Sequence, residues 1–71
     1  MTPDTLVRMA NQIADFFKAQ PGDDAVAGAS EHIRRFWDPR MRREIIAHLQ
    51  KGGAGLTSTA RSAIEKLAQV A

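Results

Sequence analysis

Apolar residues recur at three- and four-residue steps in four stretches of this chain, and polar or glycine-rich breaks separate them. That period marks one face of an α-helix. In the first stretch Leu6, Met9, Ala10, Ile13, Phe16 and Phe17 share a face, with Arg8, Gln12, Asp15 and Lys18 largely opposite. The helix is predicted to begin after Pro3 with Asp4 or Thr5 as cap, to run to Ala19, and to stop before the breaker pair Pro21-Gly22. Two adjacent Phe are more than one stripe buries well, which leaves one of them for a partner surface.

The second stretch places Val26, Ala29, Ile33, Phe36 and Trp37 on one stripe, with Asp23 or Asp24 as the cap. Its first turns are small, and Gly28 costs about 1 kcal/mol relative to Ala inside a helix. The cost is understandable if another backbone lies against it; slack at a helix start is the plainer alternative. The helix should end near Trp37, because Asp38 precedes a proline and is pushed from helical angles. Asp38 then reads as the N-cap of a third helix and Pro39 as its first residue, where a missing N–H is harmless. That helix is predicted to run to about Gln50, with Met41, Ile45, Ile46 and Leu49 inward and Arg42, Arg43 and Gln50 outward. Glu44 and His48 form an i,i+4 pair worth a few tenths of a kcal/mol. Gly52-Gly53 supplies a left-handed exit. The Gly52-Gly53-Ala54-Gly55 tract is too glycine-rich to hold itself in order. It lacks the preceding strand and the following Gly-Lys-Ser/Thr of a phosphate loop. Thr57 or Ser58 caps a fourth helix whose stripe is Ala60, Ala63, Ile64, Leu67 and Ala68, with Val70 near its end and Arg61, Glu65 and Lys66 on its exposed side.

The pattern therefore predicts an all-α fold: one helical domain over residues 1–71, a small bundle of four short helices with a tight Asp-Pro corner between the second and third. A chain of 71 residues builds only a thin core. With no Cys it has neither disulfides nor thiolate metal ligands to staple it. Small scaffolds of this kind often draw stability from a partner. Asp4, Arg8, Asp15 and Lys18 interrupt the first 20 residues, which argues against a signal peptide or membrane span and makes a cytoplasmic location the default.

Net charge is only +2, but its distribution is uneven. Between His32 and Lys51 six cations face Asp38 and Glu44, while the rest of the chain is net negative. Five of the seven Arg and the sole Trp lie between His32 and Arg43. Arg and Trp are enriched at binding hot spots. Cations in the first turns of a helix are also electrostatically unfavourable, so Arg40, Arg42 and Arg43 carry a small cost that an acidic partner would offset. The corner is accordingly the candidate partner-binding site, made of Arg34, Arg35, Trp37, Arg40, Arg42 and Arg43. Trp37 fits either the chain's own core or a partner's pocket, and Phe36 reads as internal. The alternative is a helix-turn-helix-like nucleic-acid-binding protein, its basic helix in a major groove. Against it, that helix lacks the usual Asn, Gln or Ser readers after its start, and the overall charge is low.

Enzymatic chemistry is the weakest reading. His32 and His48 lie on different helices without a second ligand at the right spacing, apart from the surface neighbour Glu44. Ser30 and His32, two residues apart, do not share a helix face. No catalytic, cofactor-binding or metal-binding residue is assigned.

Three runs together resemble a known family: Met9-Ala10-Asn11-Gln12-Ile13-Ala14-Asp15-Phe16-Phe17, then His32-Ile33-Arg34-Arg35-Phe36-Trp37-Asp38-Pro39-Arg40-Met41-Arg42, then Gly52-Gly53-Ala54-Gly55-Leu56 before a last helix. In order and spacing they are similar to the delta subunit of soluble NAD-dependent, molybdenum-containing formate dehydrogenase, over nearly the whole chain. One departure is Thr57-Ser58-Thr59, in place of the Ser-Pro start expected of the last helix. The resemblance implies a non-catalytic accessory subunit of a bacterial cytoplasmic oxidoreductase complex that oxidises formate and reduces NAD. It implies a complex carrying molybdenum cofactor, iron–sulfur clusters and FMN on its alpha, beta and gamma subunits, with no redox cofactor on this chain. The absence of Cys agrees, since such clusters are mostly held by thiolates. The implied partner is the alpha subunit, and through it beta and gamma. The implied role is assembly or stability, or cofactor insertion or retention, with self-association when the chain is isolated.

Overall fold

A computed structural model describes residues 2–21 and 24–70. Four helices follow one another: α1 (Pro3–Lys18), α2 (Ala25–Phe36), α3 (Pro39–Gln50) and α4 (Ser58–Val70). No strand occurs among the described residues, so the fold is the expected all-α bundle. No helix is long and apolar enough to cross a membrane, among the described residues.

Each helix begins on a side-chain cap that satisfies an otherwise orphaned backbone N–H. The Asp38 carboxylate accepts from the Met41 N–H at 2.9 Å, as the Asp-Pro pair predicts. Asp24 accepts from Val26 and Ala27 at the head of α2; the other expected cap, Asp23, and the breaker residue Gly22 lie outside the described residues. Thr57 accepts from the Ala60 N–H at 3.3 Å and so caps α4. At α1 the expectation of Asp4 or Thr5 is corrected. Thr2 is the cap, accepting from the Thr5 N–H at 3.3 Å, and Pro3 is the first helical residue, which moves the start upstream.

The core is built from Leu6, Val7, Ala10, Ala14, Ile33, Trp37, Ile45, Ala60, Ile64 and Leu67. α4 touches all three other helices, and its most extensive packing is on α2. Helix α1 covers both. On α1 the buried face is rotated from the predicted stripe: Val7 and Ala14 are buried, Met9 and Ile13 lie partly outside, and Phe16 is 61% exposed. A helix wedged between several neighbours buries a wider arc than a single stripe.

Helices α2 and α3 scarcely touch beyond the corner that joins them. Only Trp37 and Asp38 separate them, whereas a DNA-binding helix-turn-helix uses a turn of about three to four residues. Each of the two helices packs instead on α1 and α4. The corner is therefore a tight turn between two helices that pack on the same two neighbours, α1 and α4, rather than on one another.

The glycine tract is ordered by three side chains from elsewhere in the fold. α3 ends with Gly52 N–H on the Leu49 carbonyl and Gly53 N–H on the His48 carbonyl, the Schellman pattern, with both glycines at positive φ. Asn11 donates to the Gly55 carbonyl at 2.9 Å and accepts from the Thr57 N–H at 3.0 Å. Arg61 donates to the Gly52 carbonyl at 2.7 Å, and a His48 ring nitrogen lies 2.8 Å from the Ala54 carbonyl. Two expectations are corrected here. Arg61 is not a solvated side chain, and His48 serves the loop, while Glu44 approaches Arg40 at 3.6 Å.

Candidate functional site

The Asp-Pro corner brings the six sequence-predicted residues into one region, but gives them different work. Trp37 caps the end of α2, and its side chain is 4% exposed within the core. Phe36, expected inside, is 72% exposed. The two are adjacent at a helix end, so only one can point inward, and the turn at Trp37 sends the larger ring under the corner. Trp37 thus carries packing energy, and the exposed aromatic of the corner is Phe36.

Arg42 is largely committed to the fold. Its guanidinium Nη1 donates to the Trp37 carbonyl and to the Arg34 carbonyl, the latter at 3.1 Å. Those carbonyls belong to the last turn of α2, where orphaned acceptors and the negative dipole end favour a cation. The unfavourable position of Arg42 in the first turn of α3 is thereby offset inside the chain by the end of α2, and needs no outside partner.

Arg34 and Arg35 share one carboxylate. Arg34 meets both Glu31 oxygens, at 3.0 and 2.5 Å, and Arg35 meets one at 2.8 Å. Hydrogen bonds from Arg34, then from Arg35, hold the Glu31 carboxyl at about 2, well below the usual range, and the bond to Glu31 raises the Arg34 guanidinium. Sequence reasoning stopped at His32 and missed Glu31, although its three- and four-residue spacing to two arginines was the available signal. Arg40 is 82% exposed and loosely paired with Glu44. Arg43 has no ion pair or hydrogen bond among the described residues and is exposed.

Two of the surface hollows near this region are the roomiest. Between α2, α3 and α4 lies a cleft of about 350 Å³ lined by Arg34, Pro39, Arg42, Arg43, Ile46, Leu67 and Val70. On the α1–α2 side a groove of about 390 Å³ is lined by Met9, Gln12, Ile13, Phe16, Phe17 and His32. Its wall is an aromatic row: Phe16 against Phe17 at 5.2 Å edge-on, Phe17 against His32 at 6.0 Å, and His32 against Phe36 at 4.7 Å. The pair of adjacent phenylalanines signalled part of this row, with Phe16 as the exposed member.

No group of three His, Asp or Glu side chains could hold a metal ion among the described residues.

No curated protein and no solved structure matches the chain. A family described as NADH-dependent formate dehydrogenase delta subunit FdsD matches residues 5–64, a span that holds the Asn11 clamp, the Asp-Pro corner and the glycine tract. The chain therefore belongs to the formate dehydrogenase delta subunit family FdsD.

Proposed function

We propose that this chain is a non-catalytic accessory subunit of a cytoplasmic, NAD-dependent formate dehydrogenase, and that it docks on the catalytic alpha subunit through the basic corner. The observation that carries the docking surface is the cation excess at that corner. Arg40 and Arg43 stand exposed with at most one loose carboxylate between them, and Phe36 offers an exposed ring beside them. Charges there steer encounter with an acidic surface and fix its register, while the ring adds apolar contact. Trp37 and Arg42 contribute by holding the corner rigid, and Arg34 and Arg35 present their remaining donors from the Glu31 anchor.

Assembly or stabilisation of the complex is the role this surface supports. Molybdenum cofactor, iron–sulfur clusters and FMN belong to the partner subunits: clusters are held mostly by thiolates, and this sequence has no Cys. The test is to produce the dehydrogenase with and without this chain, following formate-dependent NAD reduction, molybdenum content and subunit co-elution. Subunits that separate while the alpha subunit keeps its metal and its turnover with an artificial acceptor establish a structural role. A complex that holds together but loses molybdenum points to cofactor insertion or retention. No change in any of the three overturns the docking reading.

A further inference from the structure

We infer that the cleft between α2, α3 and α4 is the specific seat of the docking contact, and that its occupant is a segment of another subunit of the complex bearing a carboxylate beside an apolar side chain. The inference rests on the docking function proposed above and narrows it from a corner to one hollow.

The cleft has two chemically distinct halves. Ile46, Leu67 and Val70 make an apolar floor, and Val70, 60% exposed, stands at its mouth. Arg34, Arg42 and Arg43 make the wall, and no Asp or Glu among the described residues lines the hollow. Arg34 is neutralised by Glu31. Arg42 spends one nitrogen on backbone carbonyls and keeps its others free to donate. Arg43 has no anionic partner among the described residues. A surface of positive guanidinium groups over an aliphatic floor complements one chemistry: a carboxylate that accepts from Arg42 and Arg43 in a forked geometry, with a neighbouring apolar side chain laid on Val70 and the partly buried Ile46. The aromatic groove on the α1–α2 side offers apolar area too, but no Arg, Lys, Asp or Glu among the described residues lines it to specify an occupant.

One competing use of the arginines is internal. The last turn of α4 carries no basic side chain of its own, and cations standing over a helix C-terminus favour its dipole. If that were the whole role of Arg43, its loss would lower stability and leave docking untouched.

The test uses the complete dehydrogenase, with this chain tagged. Retention of the chain on gel filtration is measured as salt is raised, for Arg43→Glu, Val70→Asp and, outside the cleft, Arg40→Glu. Circular dichroism of each purified variant checks folding. Arg42 is left intact because it holds the corner. Arg43→Glu reverses the free charge, and Val70→Asp places a competing carboxylate in the mouth. Each is expected to weaken retention about tenfold, with Arg40→Glu weaker in effect. Loss with Arg40→Glu and Arg43→Glu but none with Val70→Asp overturns the cleft while the docking corner stands. Retention by all three overturns the corner itself. Reduced melting temperature with unchanged retention assigns Arg43 to α4 and overturns the proposal. In a second arm, a benzoylphenylalanine photocrosslinker replaces Val70 in the assembled complex. A crosslink mapped to an acidic-apolar segment of another subunit supports the assignment. A crosslink to a second copy of this chain, to nucleic acid or to nothing overturns it.

Discussion

The ring of Phe17 packs against Gly28: a β-carbon built at that glycine would stand 2.5 Å from Phe17 Cδ1 and 2.9 Å from Cε1. The glycine that weakens α2 is the price of bringing α1 and α2 together over an aromatic side chain. What lies against Gly28 is thus a side chain and not the backbone expected from the small-residue run. Two terms oppose each other in Gly28→Ala. Helix propensity favours Ala by about 1 kcal/mol, while overpacking a well-filled contact costs about 1–3 kcal/mol. Phe17 borders the open groove, so its ring can give way in part. We expect a net loss of about 1 kcal/mol by urea denaturation. Combining Gly28→Ala with Phe17→Leu should cost less than the sum of the two single changes. Strict additivity would show that the contact carries no steric load.

Asn11 ties the first helix to the loop before the last, through one hydrogen bond donated to the Gly55 carbonyl and one accepted from the Thr57 N–H. Both partners are more than forty residues away along the chain, and the tract that ends at Gly55 contains three glycines at positive φ. Asn11→Ala removes both bonds and is expected to cost about 1–2 kcal/mol, lowering the melting temperature by roughly 4–8 °C per kcal/mol in a domain of this size. Asn11→Asp keeps the acceptor and loses the donor, so it should fall between the two. An Asn11→Ala melt indistinguishable from the parent would show that the loop is held by Arg61 and His48 alone.

Glu31 sets a direction for acid behaviour. Its folded-state value, about 2, lies below the ordinary 4.5. A carboxyl depressed on folding adds stability that is fully present above its unfolded value and is lost as pH falls through the folded one. The contribution of the Glu31–Arg34–Arg35 cluster should therefore be complete above about pH 4.5 and disappear toward pH 2. The pairs are about half exposed, so solvent screening keeps the effect small. Glu31→Gln is expected to flatten the melting temperature against pH between those limits, and raised salt should do the same in the parent. A parent curve already flat over this window would mean that the cluster is not populated in solution.

How much of this was readable beforehand follows from the range of each interaction. The Asp38-Pro39 corner, the capping of α2 by Asp24 and the Gly52-Gly53 exit are set by one to four neighbouring residues, and the helix boundaries of α3 came out as the residues dictate. The polar assignments that failed depend on partners five to nine residues away across a turn, beyond the three- and four-residue spacing that helix periodicity and capping read. Arg61 and His48 look solvent-facing until the glycine tract folds back to meet them. Arg42 looks like a surface cation until α2 ends beneath it. The family resemblance was legible because it needs only residue order, and the matched span confirms it. Which arginines remain free for a partner needed the three-dimensional pairing.

The last expectation concerns the two adjacent aromatics at the end of α2, which local pattern could not order. Trp37 is 4% exposed and Phe36 72% exposed. As the sole Trp, residue 37 reports on itself. In the isolated chain its emission should be blue-shifted and poorly quenched by acrylamide, with no further protection on assembly into the dehydrogenase. A tryptophan anchoring a partner's pocket would behave oppositely, quenched when free and shielded when docked. Stability should divide the same way. Trp37→Ala is expected to cost about 3–5 kcal/mol, most of what a chain of this length commands at about 0.05–0.15 kcal/mol per residue. Phe36→Ala should stay within about 0.5 kcal/mol and show its effect, if the corner docks, only in the complex. Equal losses from the two substitutions in the isolated chain would mean that both rings are core and that the exposed aromatic of the corner does not exist in solution.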